Sequence, residues 1–123
     1  MPRPSPALRQ IYERLDFGKV DLGFAGRQDQ DKPAHKAISE LGTDSPLQLE
    51  YLKDRWVLAN ADGTVVGALA RVYQPPPGMN CIEANVAAIV VRYREDSKTE
   101  YSGSVRCDRW EVVVPELVFA PVS

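Results

Sequence analysis

Two cysteines, one histidine, no long apolar run and almost no net charge set the first limits on this 123-residue chain. No stretch approaches the roughly 18 apolar residues of a transmembrane helix. The opening "MPRPSPALRQIYERLDFG" lacks the apolar core of a secretory signal, so the cytoplasm is the expected location and no membrane partner is expected. A formal charge of −2 gives no general attraction for nucleic acid, and any anion-binding role must rest on a local patch. A tetrahedral metal site wants four clustered ligands, which a single histidine, His35, and two cysteines do not promise. Neither a metal nor a cofactor is expected. If the last two long strands fold back around Thr99, Cys107 faces about Val91 and Cys81 lies far along the sheet. A disulfide needs Cα atoms within about 7 Å, so two free thiols are expected.

The familiar catalytic spacings are missing as well. The chain contains no G-x-S-x-G, H-E-x-x-H, phosphate-cradling G-x-x-x-x-G-K-[ST] or C-x-x-C. Glu95, Asp96 and Glu100 share one polar loop, where carboxylates are ordinarily solvated. General acid–base chemistry requires carboxylates drawn together from separate segments with shifted pKa values. These absences argue against an enzyme.

Periodicity supplies the organisation. Leu8, Ile11, Tyr12 and Leu15 recur at helical spacing behind Ser5 and Pro6, which predicts a helix within residues 1–17. Asp31 and Pro33 open a second helix whose Ala34, Ala37, Ile38 and Leu41 face the core, with Gly42 as its stop. His35 then points to solvent beside Lys36. From Pro46 the period changes to two, through "LQLEY", "RWVLA", "TVVGALARVY", "CIEANVAAIVVRYR" and "VRCDRWEVVVPELVF". The turn "NADG" places Gly63 in the left-handed region, and the "QPPPG" corner stops a strand. Pro115 ends its strand or sits on an edge. The expected fold is mainly β (α+β): one domain over residues 1–123, helical over 1–42. Residues 43–123 form a small antiparallel β-barrel or roll, a closure that hides strand edges.

Basic and aromatic residues on the strands raise the functional question. Between Val66 and Arg94, the cations Arg71, Arg92 and Arg94 face a single acid, Glu83. Alternation puts Arg71 with Tyr73 and Arg92 with Arg94, while the simplest register sets Arg106 opposite Arg92 and leaves Lys98 in the loop. Cations that track phosphates beside rings that stack on bases make a platform for single strands. Trp110 and Tyr93 alternate with apolar neighbours and are expected in the core. Gly67, in a strand interior, implies close approach of another backbone or a ligand.

The runs "GFAGRQDQDKPAHKAISEL", "DSPLQLEYLKDRWVLANADGTVVGALA" and "VAAIVVRYREDSKTEYSGSVRCDRWEVVVPELVF" resemble an accessory C-terminal domain of bacterial RecQ-family DNA helicases. The middle is similar to the HIRAN domain, a small β-barrel of helicase and chromatin-remodelling proteins. The resemblance spans residues 23–119. It lacks the arginine–glutamate–proline stretch that usually precedes the HIRAN hairpin, and only the hairpin with Gly67 and the following strand match position by position. It implies a DNA-binding module for single strands and their 3′ ends, working with a helicase or another DNA-processing protein. On chemical grounds the candidate contacts are Arg27, Arg71, Tyr73, Arg92, Arg94, Lys98, Tyr101 and Arg106, with Gly63 and Gly67 structural. The alternative is a protein–protein adaptor that offers an exposed edge near "WEVVVPELVF".

Overall fold

The computed structural model describes residues 9–96 and 105–122. Ser5, Pro6, Leu8, Lys98, Thr99, Glu100 and Tyr101 lie outside the described residues. The fold is mainly β, with two three-stranded antiparallel sheets and one short helix. In the first sheet β6 (Arg109–Pro121) runs between β1 (Ile11–Arg14) and the long β5 (Met79–Tyr93). The second is a meander of β2 (Gln48–Leu52), β3 (Arg55–Ala59) and β4 (Val65–Ala68). The sheets do not close into a barrel. They meet at one seam, where Leu47 donates to the Ala84 carbonyl (2.8 Å) and Val86 to that of Ser45 (2.9 Å). The architecture is therefore the open roll of the two expected forms.

Several elements fall where their chemistry puts them. β3 covers "RWVLA", and the turn after it closes with Gly63 at φ +86° while the Asn60 side chain accepts from the Asp62 and Thr64 amides. The helix α1 (Pro33–Ser39) starts on a proline, whose missing N–H would be unpaired there anyway. It buries Ala34 and Ile38. Lys32 rather than Asp31 occupies its N-cap position, without a side-chain cap.

Three expectations are corrected. The segment 11–14 is a strand, so residues 1–42 are not a helical unit. Among the described members of its helically spaced apolar set Leu15 is buried, whereas Ile11 and Tyr12 are exposed; pairing with β6 decides the conformation. Pro115 neither ends a strand nor sits on an edge, but lies inside the central β6. The register of β5 shifts between Val86 and Ala88, next to Val86's pairing with Pro115. A proline without a ladder donor is tolerated at such a bulge. Finally, Arg92 is opposite Trp110 and not Arg106.

The core lies between the sheets, around Leu58, Val66, Leu69, Val86, Val113, Leu117 and Phe119. Trp110 joins it as expected, its indole N–H donating to the Leu22 carbonyl at 2.8 Å. Tyr93 does not and is exposed. Gly67 is packed by its own chain. A Cβ there would meet Leu58 at 3.4 Å and Val113 at 3.8 Å, so the neighbour at this glycine is protein, not a ligand.

Candidate nucleic-acid interface

The loop after β1 carries the first site residues. Asp21 is fixed by its amide, which donates to the Ala68 carbonyl at 2.9 Å, beside the Val20–Leu69 bridge. Its carboxylate accepts from Arg27 through both oxygens, from Arg55 at 3.0 Å and from the Gly23 amide at 3.2 Å. Arg55 begins β3 and also donates to the Leu69 carbonyl at 2.7 Å, while its buried Nε has no partner among the described residues. Burial alone would push the Asp21 carboxyl upward. The Arg27 hydrogen bond, the charges of Arg27 and Arg55, and the Gly23 amide outweigh it and hold the carboxyl below the ordinary range.

Arg71 stands in the turn after β4, where the Tyr73 amide donates to the Ala70 carbonyl at 2.9 Å. Arg71 is exposed and has no hydrogen-bond or ion-pair partner among the described residues. With Asp21, Arg27, Arg55 and apolar Leu22 it lines a cleft of about 550 Å³. Arg55 and Arg71 also line a second cleft of about 290 Å³, with Tyr51, Trp56 and Asp54. Tyr51 and Trp56 are opposite each other on β2 and β3, ring centroids 5.1 Å apart and tilted by 58°. Trp56 and Pro75 continue into a third cleft of about 410 Å³ with Leu49, Met79, Asn80, Cys81 and Phe119. Cations, rings and apolar walls thus follow one another along a single surface.

Of the expected contacts, Arg27 and Arg71 share the first cleft, and Arg71 and Tyr73 both line the second. Tyr73 is only 5% exposed, and its hydroxyl donates to Glu13 at 3.0 Å. Burial first, and then that carboxylate, push its pKa far up. Because β4 ends at Ala68, Arg71 and Tyr73 do not share a strand face, and Tyr73 reaches the second cleft with only a small part of its surface. Arg92, Arg94 and Arg106 line none of the three clefts. Arg92 donates to the Asp96 carbonyl at 3.2 Å, and Arg94 to Asp108 and the Val105 carbonyl, each at 3.0 Å. Arg106 is tied by its backbone, the amide donating to the Gly26 carbonyl at 2.7 Å.

Sequence reasoning missed Tyr51, Trp56 and Arg55. The signal was present in "LEYLKDRW", where a two-residue turn sets Tyr51 across from Trp56. It also missed the surroundings of His35, which is half-buried rather than solvent-facing. Its Nε2 lies 2.9 Å from the Gln28 carbonyl and 3.7 Å from the Cys107 sulfur. A carbonyl only accepts, so Nε2 carries the proton and cannot take one from the thiol. The Cys107 thiol donates to the same carbonyl at 3.1 Å, and burial raises its pKa. This pair is packed and not poised for nucleophilic attack. Both cysteines are free thiols. No group of His, Cys, Asp or Glu able to hold a metal occurs among the described residues, nor is any helix there long and apolar enough to cross a membrane.

No protein-family model, curated protein or solved structure matches this chain, so the chemistry of the clefts carries the functional argument.

Proposed function

We propose that this chain is a non-enzymatic module that binds single-stranded nucleic acid in the cytoplasm, in the service of a helicase or another DNA-processing protein. The observation that carries the reading is the position of Arg71. A guanidinium with no partner among the described residues stands where the arginine cleft meets the cleft walled by Tyr51 and Trp56. A single strand needs both chemistries at that spacing, fork donors for phosphate and ring faces for bases. Tyr51 is 56% exposed and free to stack. Its contribution, by analogy with other stacking platforms, is about 1–3 kcal/mol per base. The kinship with helicase-appended and HIRAN domains belongs to the same proposal. The adaptor alternative is weaker, because the strand on which it relied, β6, is the centre of its sheet.

Fluorescence anisotropy of labelled single-stranded and duplex DNA at two salt concentrations tests the reading. Single strands are expected to bind more tightly than duplex, and to weaken steeply with salt as counterions are released. Arg71→Ala and Tyr51→Ala should each cost about tenfold in affinity. An absence of binding even at low salt overturns the proposal.

A further inference from the structure

We infer that the cleft of Arg27, Arg55 and Arg71 recognises a phosphomonoester, so that the module prefers a strand ending in phosphate to one ending in hydroxyl. The inference rests on the single-strand reading and adds the chemical identity of the end.

The first observation is charge. Three guanidiniums and one carboxylate line the cleft, leaving a surplus of two positive charges. An internal phosphodiester carries one negative charge. A terminal phosphomonoester carries about −1.5 to −2 near neutrality and three acceptor oxygens. The second observation is how the donors are committed. Asp21 engages Arg27 through both oxygens and shares one of them with Arg55, which fixes two forks on a half-buried anion. Arg71 has no hydrogen-bond or ion-pair partner among the described residues, so its fork is open to a ligand. Fixed forks beside a free one suit a compact dianion better than a passing diester, which a single exposed arginine would hold.

The third observation is what lies beside the cleft. At about 550 Å³ it is larger than a phosphate, and it opens past Arg55 and Arg71 onto Tyr51 and Trp56. A bare inorganic anion would leave that surface unused. A terminal nucleotide would place its phosphate among the arginines and its base against the rings.

The test uses the full chain and an internally labelled single strand in three forms: hydroxyls at both ends, a 5′-phosphate, or a 3′-phosphate. One phosphate-ended strand is expected to bind about tenfold more tightly than the hydroxyl-ended strand, and which one it is assigns the polarity. Arg71→Ala should remove that advantage, and Arg71→Lys should restore only part, because an ammonium keeps the charge without the fork. Melting curves check that both variants fold. Inorganic phosphate should compete with the phosphate-ended strand before it affects the other. Equal binding of all three strands, or a preference for hydroxyl ends, overturns this inference and leaves the single-strand reading standing. If no strand binds, both fall.

Discussion

Gly26 lies directly against the Trp110 ring: a Cβ added at this glycine would come within 2.6 Å of the indole carbons. The contact fixes two distant parts of the chain at once. The Trp110 indole reaches the Leu22 carbonyl, and the Gly26 carbonyl takes the amides of Arg106 and Cys107. The loop that carries Asp21 and Arg27 is thereby clamped to the end of β6.

Gly26→Ala should therefore be costly, because neither the buried indole nor the twice-bonded backbone has room to yield. Overpacking of this kind destabilises by about 1–3 kcal/mol. Gly67→Ala is the contrasting case. Its added methyl meets Leu58 and Val113 at ordinary contact distance, and a change below about 1 kcal/mol is expected. Urea denaturation of the two variants side by side checks the contrast, and equal losses would contradict it.

That contrast also marks what the sequence revealed. The strand "RWVLA", the "NADG" turn and the helix beginning at Pro33 were legible because their determinants are local: alternation, a left-handed glycine, a proline in a first turn. β1 was not, since its apolar spacing suits a helix and only β6, about a hundred residues away along the chain, makes it a strand. The pairing of β5 with β6 depends on two irregularities, at Cys81/Glu83 and Val86/Ala88, which no period-two count anticipates. The site suffered likewise. Arg27 and Arg71 were legible as cations, and the Tyr51–Trp56 pair had a local signal in its two-residue turn that was passed over, but the Asp21 carboxylate that organises the cleft meets Arg55 only through non-local pairing.

Asp21 should make stability depend on acidity. Its folded pKa lies below the ordinary value of 3.8, so the unfolded chain binds the proton more readily. The contribution is fully present above that ordinary value and is lost as pH falls through the lower folded value. Asp21→Asn removes the charge from two arginines and should cost roughly 2–3 kcal/mol near neutrality. It should also flatten the acid limb of the stability curve. Denaturant midpoints measured from neutral pH down to about pH 2 separate these effects; an unchanged acid limb would contradict the assignment.

Tyr73 and Tyr51 should behave oppositely. Tyr73→Phe deletes the hydroxyl that donates to Glu13 and should lower stability by about 1 kcal/mol without changing strand affinity. Tyr51→Phe keeps a ring on the exposed wall of the second cleft, so both stability and strand binding should survive. Thermal melting and anisotropy on the two variants decide the matter. A loss of binding in Tyr73→Phe that exceeds its loss of stability would return that residue to the contact set.

Asp54 joins the turn to the cleft. Lys53 and Asp54 both have positive φ, +50° and +65°, the signature of the two-residue turn whose twist suits a hairpin. A left-handed backbone costs a side-chain-bearing residue about 1–2 kcal/mol, of which glycine recovers a part. Asp54 also sets a carboxylate in the cleft that holds Arg55, Arg71 and the Tyr51–Trp56 pair, where it repels phosphate. Asp54→Gly should therefore raise stability by about 0.5–1 kcal/mol. It should also tighten single-strand binding a few-fold, most visibly at low salt, where charge is least screened. The two readouts have separate causes, backbone geometry and charge. Asp54→Asn keeps a residue that tolerates the turn but loses the charge, so it should reproduce the gain in affinity without the full gain in stability. Weaker binding by both variants would mean that Asp54 contacts the ligand through a donor such as a sugar hydroxyl.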